Sequence, residues 1–189
     1  TCFNLSSRQI RGMLDGLGEA GLFNVLALRC DRNPEIPPKD DFHYANELVA
    51  FIREQGEFHV SGACYPEVHT EAPDGVTDIR NLKKKVDAGV GHLVSQLFFV
   101  NDNFYDFLVK LKIAGIDVPV EAGIMPVTNR AQIKRMVDMC GAVLPDKFEK
   151  ILEKYGEHKE ALFDAGMAYA VNQIVELIAQ GVDGIHIFT

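Results

Sequence analysis

The sequence lacks the features that mark several large classes of protein. No apolar run comes near the roughly 20 residues of a membrane-spanning helix, so we predict no membrane partner. Basic residues are scarce: 19 Lys and Arg stand against 27 Asp and Glu, which gives a formal net charge of −8. Non-specific binding to a phosphate backbone needs clustered Lys and Arg, and we therefore predict no nucleic-acid partner.

Cysteine chemistry is also limited. The four cysteines include no C-x-x-C pair, and four in 189 residues do not indicate a disulfide scaffold. The N-terminus lacks the basic segment and apolar stretch of a signal peptide. We therefore predict reduced thiols and a cytoplasmic protein. No second Cys/His pair accompanies Cys64 and His69, so we predict no metal site.

The glycine-rich signatures of nucleotide and acyl chemistry are missing or misplaced. The chain contains no G-x-x-x-x-G-K-[ST] and no G-x-S-x-G, and its one G-x-G-x-x-G match, at residues 16–21, falls at the end of a predicted helix rather than between a strand and a helix. What it does contain is an ordinary globular composition, with 47% hydrophobic and 24% charged residues. Its length fits one domain, which we assign to residues 1–189.

Short apolar runs alternate with longer amphipathic stretches, many of which end at glycine. This alternation predicts a parallel sheet with helical crossovers. Two architectures fit, a doubly wound sheet and a (β/α)8 TIM barrel. A complete barrel needs about 250 residues, and both ends look cut, so we favour a barrel incomplete at both ends and expect a fragment of a longer chain. Strands are predicted at 24–28, 59–63, 92–98, 118–122 and 184–188, with a stub at 1–3, and helices at 6–19, 44–54, 78–88, 101–114, 129–139, 146–155 and 159–180.

Functional residues in either architecture gather where strands end, so polar residues there are candidates. Asp31 follows the first strand, where it can tune a bound ring or orient a proton donor, or simply begin a turn. After the second strand, an aromatic ring, an imidazole and two carboxylates fall within residues 64–72. That loop can frame a planar ligand, or it can be solvated.

The helix predicted from Asp78 and the third strand carry two further candidates. Asp78, Asn81 and Lys85 fall on one stripe of the helix, suited to a phosphorylated ligand or to an exposed charge face, and Lys84 lies further round. In the strand, Gln96 needs a hydrogen-bond partner because a buried unpaired amide costs about 1–3 kcal/mol. That partner is either a ligand or the protein itself.

Several of these segments together resemble the methylenetetrahydrofolate reductase family, and the resemblance covers the whole chain. The order of the Y-P-E-x-H segment, the D…N-L-K-x-K-V-D-A-G segment and Q-x-F-F is specific. The segments are residues 27–31 (ALRCD), 44–45 (YA), 65–72 (YPEVHTEA), 78–89 (DIRNLKKKVDAG), 95–99 (SQLFF) and 123–127 (GIMPV).

The resemblance implies a FAD-dependent barrel enzyme of one-carbon metabolism. It would reduce 5,10-methylenetetrahydrofolate to 5-methyltetrahydrofolate with NAD(P)H by ping-pong hydride transfer. Asp31 and Gln96 would be catalytic, and both would contact the folate together with Gln132. The implied FAD-binding residues are Arg29, Cys30, Asp31, Tyr44, Ala45, Tyr65, His69, Ala72, Asp78, Asn81, Lys84 and Lys85.

The chain departs from the family at several points. Cys30 stands where glycine is usual, and Thr70 where proline is common. The family's general-acid Glu would precede Thr1, and a folate-binding Arg would follow Thr189, so we expect no turnover from these 189 residues alone.

Two alternatives stay open at this stage. One is a flavin- or folate-binding subunit without nicotinamide activity, working in a complex, while the resemblance also implies a homo-oligomer. The other is a Schiff-base aldolase that uses Lys84 or Lys85, which their position on a helix disfavours.

Overall fold

The computed structural model describes residue 2, residues 4–29, residue 39 and residues 41–189. Within these residues helices and strands alternate up to residue 124, and three successive helices then precede the last strand, as the sequence predicts. The helices are α1 (Ser7–Glu19), α2 (Ala45–Gln55), α3 (Gly75–Asp87), α4 (Asn101–Ile113), α5 (Arg130–Cys140), α6 (Asp146–Tyr155) and α7 (Lys159–Ala179). The strands are β1 (Asn24–Ala27), β2 (His59–Cys64), β3 (Val90–Leu97), β4 (Val120–Ile124) and β5 (Gly184–Ile187).

The order of the strands decides between the two predicted architectures. The described strands form one five-stranded sheet in the order β1-β2-β3-β4-β5. β1 pairs with β2 in parallel, from Asn24 opposite His59, and β4 pairs with β5 in parallel, from Glu121 opposite Gly184. A doubly wound sheet reverses its strand order at a switch point, whereas a barrel adds each strand beside the last. The sequential order therefore confirms the α/β barrel class.

The chain separates into two compact units, and the first comprises Thr1–Ala63 and Arg80–Leu93. Its first helix begins with a capping box, in which Ser6 Oγ accepts the N–H of Gln9 and Gln9 Oε1 accepts the N–H of Ser6. α1 packs on α2, and α2 packs on β1. Apolar side chains from both helices and from β2 and β3 are buried in this unit, among them Leu14, Leu48, Ile52, Val60 and Leu93.

The second unit comprises Cys64–Ile79 and Val94–Thr189. A cluster of buried side chains fills it, formed by Leu97, Phe99, Met125, Val127, Ile133, Ala142 and Phe148. α7 packs against β4 and α6. Close approach of α7 requires a glycine, because a Cβ at Gly166 would lie 1.8 Å from the carbonyl oxygen of Val127.

Several predicted boundaries were wrong by a few residues. α3 begins at Gly75 rather than at Asp78, because the carboxylate of Asp74 accepts the N–H of Thr77 at 2.7 Å and starts the helix earlier. β3 covers Val90–Leu97 rather than 92–98, so Phe98 lies outside the strand. β4 covers Val120–Ile124 rather than 118–122.

Some expectations fall on residues that the structure does not describe. These residues include Thr1 and Phe3 of the predicted stub, and Cys30 and Asp31 of the predicted site. Among the described helices, none combines the length and the apolar character that crossing a membrane requires.

Candidate functional site

The loop after β2 carries the clearest cluster of predicted site residues. The rings of Tyr65 and His69 lie edge to face, with centroids 4.4 Å apart and planes at 73°. Asp78 Oδ2 accepts the backbone N–H of His69 at 3.0 Å. Ala72 donates its N–H to the carbonyl oxygen of His69 at 2.8 Å. In the second unit the structure thus brings three predicted residues, Tyr65, Ala72 and Asp78, together around His69.

A backbone contact fixes the tautomer of neutral His69. The N–H of Glu71 donates to His69 Nδ1 at 3.0 Å, so Nδ1 must carry a lone pair. The proton of the neutral ring is therefore on Nε2. His69 therefore offers an N–H donor at Nε2, on the opposite side of the ring from Nδ1.

The backbone between Tyr65 and His69 is strained. Val68 has φ 70°, and it is the one non-glycine residue with positive φ among the residues that the structure describes. β-branched side chains disfavour this region, and such outliers persist where the surroundings hold them, often at functional sites.

Three successive lysines on α3 have different partners. Lys83 pairs with Asp87 one turn later, as an exposed charge pair does. Lys84 Nζ lies 3.4 Å from Asn81 Oδ1. Lys85 instead donates from Nζ to the carbonyl oxygen of Ala63, at 2.6 Å, near the end of β2. The charge-face interpretation therefore suits Lys83, while Lys85 is directed to the end of a strand.

Gln96 is held by contacts within the second unit. The N–H of Leu97 donates to Gln96 Oε1 at 2.9 Å, which supplies the structural hydrogen bond that the sequence left open. Ser95 Oγ donates to the carbonyl oxygen of Gln96 at 2.9 Å and accepts the N–H of Gly123 at 2.8 Å. The amide oxygen of Gln96 is thereby oriented, and its NH₂ group is the part suited to a ligand.

Gln132 lies in the first turn of α5. Its N–H donates to Asn129 Oδ1, the N-cap, at 2.7 Å, and Thr128 Oγ1 donates to its Oε1 at 3.3 Å. The backbone of Gln132 is therefore bonded to the N-cap, and its side chain is held by Thr128.

The remaining predicted residues lie in the first unit, near β1 and α2. Arg29 is half-buried two residues after β1, and its carbonyl oxygen accepts from Cys2 Sγ at 4.0 Å. Tyr44 is the N-cap of α2, with 61% of its surface exposed, and Ala45 is the first residue of that helix. Their proposed roles toward a cofactor stay predictions.

Glu67 is a residue that sequence reasoning left without a role. Its carboxylate accepts from Asn103 Nδ2 at 2.6 Å and from the N–H of Val143 at 2.9 Å. These partners are 36 and 76 residues away, so no local spacing reveals them. The one available signal was its place between Tyr65 and His69. Among the described residues, no group of three or more His, Cys, Asp or Glu is placed to hold a metal ion.

The fold and these contacts define an α/β barrel protein with a polar and aromatic cluster in the segment that follows its second described strand. The sequence profile of the methylenetetrahydrofolate reductase family matches residues 1–189. The chain therefore belongs to the methylenetetrahydrofolate reductase family.

Individual relatives agree with this assignment. The chain is 33% identical over 189 residues to the 5,10-methylenetetrahydrofolate reductase of Pectobacterium carotovorum subsp. carotovorum, covering 100% of this chain and 63% of that protein. Identity to the enzyme of the same name from Escherichia coli (strain K12) is 32%, with the same coverage. The chain thus spans somewhat less than two thirds of the length of these relatives.

A solved structure shares the fold. It is an uncharacterized protein from Clostridium thermocellum, described as binding two copies of 5-methyl-5,6,7,8-tetrahydrofolic acid. The TM-score is 0.67 at 13% sequence identity, and the match covers 99% of this chain and 64% of that one. At this identity the likeness concerns the fold alone.

Proposed function

We propose that the protein reduces 5,10-methylenetetrahydrofolate to 5-methyltetrahydrofolate, with FAD as cofactor and NAD(P)H as electron donor. The observation that carries the proposal is the edge-to-face contact of Tyr65 with His69 in the loop after β2, with the His69 N–H bonded to Asp78 of α3, in a chain of this family. The Clostridium thermocellum protein of the same fold is described as binding the product of this reaction, which is in keeping with the proposal.

The residues present suit the groups of FAD. An edge-to-face aromatic and imidazole pair presents flat apolar surface and one N–H donor, which fits a planar ring system. Lys85 supplies a cation at a strand end, which fits a pyrophosphate. Asp78 has a second carboxylate oxygen beside the one bonded to His69, and Asn81 has an amide, which fit sugar hydroxyls.

When bound, FAD supplies two-electron chemistry, accepting hydride from NAD(P)H and delivering it to the folate in separate half-reactions. In the proposal, the residues of this chain bind and orient. Gln96, held through its oxygen, directs its NH₂ group to the folate or the nicotinamide in turn. Gln132 contacts the folate tail from the start of α5. The role of Asp31 toward the flavin and the pterin stays a prediction, because this residue lies outside the described residues.

The first experiment is a visible absorption spectrum of the desalted protein, with FAD added if none is retained. We expect flavin absorbance that co-elutes with the protein, and its bleaching by NADH or NADPH without oxygen. Bleaching requires no folate, so it tests the nicotinamide half-reaction by itself. Flavin binding without bleaching would favour a flavin-binding subunit that receives electrons from a partner. Failure to bind FAD would contradict the proposal.

A variant pair on α3 tests the site residues. Asp78→Ala removes the acceptor of the His69 N–H, and we expect FAD affinity to fall at least tenfold. Asp87→Ala, on the same helix, removes only the exposed partner of Lys83 and serves as the control. Equal FAD affinity in both variants would argue against this loop as the cofactor site.

A further inference from the structure

Glu67 lies two residues after Tyr65 and two before His69, in the loop after β2. Both oxygens of its carboxylate accept hydrogen bonds from other parts of the second unit. Oε1 accepts from Asn103 in the first turn of α4, at 2.6 Å, and Oε2 accepts from the backbone of Val143 after α5, at 2.9 Å. One half-buried carboxylate thus links three segments of the chain.

We propose that Glu67 is a positioning residue, which anchors the loop so that Tyr65 and His69 keep the geometry in which they bind the cofactor. This inference rests on the proposed function, because that function makes FAD the ligand of the pair. The role is indirect: the observed contacts of the Glu67 carboxylate are with α4 and with the segment after α5.

The strain at Val68 explains why the loop needs an anchor. A β-branched residue at φ 70° keeps that conformation only when its surroundings hold it. On one side Glu67 is bonded through its side chain, and on the other the N–H of His69 is bonded to Asp78. Without the Glu67 contacts the backbone can relax at Val68, and the His69 ring then moves relative to Tyr65.

A second contact joins the loop to the same connection after α5. Gly141 ends α5 with φ 67°, and a Cβ there would lie 3.2 Å from Thr70 Cγ2. The loop therefore meets residues 141–143 at two points, Glu67 and Thr70. Gln132, the proposed folate contact, lies in the first turn of α5. The anchor therefore joins the proposed cofactor loop to the helix that carries this residue.

Two substitutions separate anchoring from a simple effect of charge. Glu67→Met keeps the bulk of the side chain and removes both acceptors. Glu67→Gln removes the charge but can keep both links, because its oxygen accepts the Val143 N–H while its NH₂ donates to Oδ1 of a flipped Asn103 amide. The anchor hypothesis therefore predicts that Gln restores what Met loses.

The measurement is the Kd for FAD of each purified protein, corrected for the folded fraction, with visible circular dichroism of the bound flavin as a second signal. We expect Glu67→Met to raise Kd at least tenfold and to alter the flavin dichroism. Glu67→Gln should stay within threefold of wild type and keep its spectrum. A Gln variant as weak as Met would show a charge effect and overturn the proposal.

Asp183→Ala is the matched control in the same unit. Asp183 Oδ2 accepts the N–H of Val120, the first residue of β4, at 2.9 Å, so its loss weakens the fold without touching the loop. We expect Asp183→Ala to leave the Kd for FAD unchanged. If Asp183→Ala raised Kd as much as Glu67→Met does, Glu67 would have only a general structural role. If the wild type itself fails to bind FAD, the proposed function fails with this inference. If the wild type binds and Glu67→Met binds equally well, only the inference fails.

Discussion

Lys85 donates a 2.6 Å hydrogen bond from Nζ to the carbonyl oxygen of Ala63, the penultimate residue of β2. Gly62 leaves room for this approach, because a Cβ there would lie 3.1 Å from Lys85 Cδ and the lysine would have to shift by a few tenths of an ångström. The aliphatic part of the lysine therefore passes close to the strand, and its charge is held at the strand end. An exposed lysine free to sample rotamers would bind an anion with a larger loss of entropy.

Lys85→Met tests whether this held cation binds the cofactor. A hydrogen bond to a charged group contributes about 1.5–3 kcal/mol, so we expect FAD affinity to fall by roughly 10- to 100-fold. Fluorescence titration of FAD measures the effect.

The neighbouring residue on the same helix provides the control for Lys85. Lys83→Met removes the same charge from a lysine whose partner is Asp87, and FAD affinity should stay within twofold of wild type. Equal losses in both variants would indicate a general effect of net charge instead of a contact at Lys85.

Periodicity and turn chemistry predicted most of the fold. The ends of helices at glycine, as at Gly115 after α4, depend on contacts a few residues apart, and they were correct. The start of α3 was missed although it too is local, since the Asp74 cap precedes the apolar stripe by several residues. The choice of a barrel over a doubly wound sheet needed the strand order, which no local pattern contains.

In the candidate site, too, contacts between residues close in the sequence were predictable, and contacts between distant residues were not. Residues within one loop, such as Tyr65 and His69, could be grouped from their spacing, and their rings are in contact. Glu67 could not, because its partners come from α4 and from the segment after α5. Long-range hydrogen bonds depend on how the elements pack, and packing is the part that a sequence pattern leaves open.

Gly166→Ala should strongly destabilise the second unit. The new methyl would lie 1.8 Å from the Val127 carbonyl oxygen, and α7 would have to move away from the segment after β4. Overpacking costs about 1–3 kcal/mol, and we expect at least the upper end because the clash is with backbone. Denaturant unfolding of the variant measures the loss.

A second helical glycine serves as the reference for Gly166. Gly16 in α1 has nothing within 4 Å of an added Cβ, so Gly16→Ala should stabilise the protein by about 0.5–1 kcal/mol through helix propensity. Destabilisation by both changes would mean that alanine is unfavourable for another reason and that the α7 contact is not as close as described.

Ser95→Ala should weaken the link between β3 and β4. Ser95 is buried, and its Oγ bridges the N–H of Gly123 and the carbonyl oxygen of Gln96. Removing it leaves a buried N–H without its acceptor, which costs about 1–3 kcal/mol. Unfolding in urea measures this loss, and Ser95→Thr, which keeps the hydroxyl, should recover part of it. A Ser95→Ala protein as stable as wild type would mean that another group accepts the Gly123 N–H.

Tyr169 should make stability fall at alkaline pH. Its hydroxyl donates to the carbonyl oxygen of Phe99 at 2.7 Å, and burial, with a smaller contribution from the negative charge of Glu176, raises the pKa of this phenol. A raised pKa in the folded state means that the folded protein holds the proton more tightly than the unfolded chain. The stabilisation is therefore complete below the unfolded value of about 10 and is lost as pH rises through the folded pKa.

Tyr169→Phe tests this linkage. At neutral pH it should lower the free energy of unfolding by about 1 kcal/mol, the net value of one hydrogen bond. Above pH 10 its unfolding free energy should fall less steeply than that of wild type, so the two curves converge. Tyr105, whose pKa is also raised by burial and then by Glu176, contributes to the same slope, so Tyr105→Phe is measured in parallel. Parallel curves for wild type and Tyr169→Phe across the alkaline range would show that the folded state ionises Tyr169 as readily as the unfolded chain does, contrary to its bonded and partly buried position.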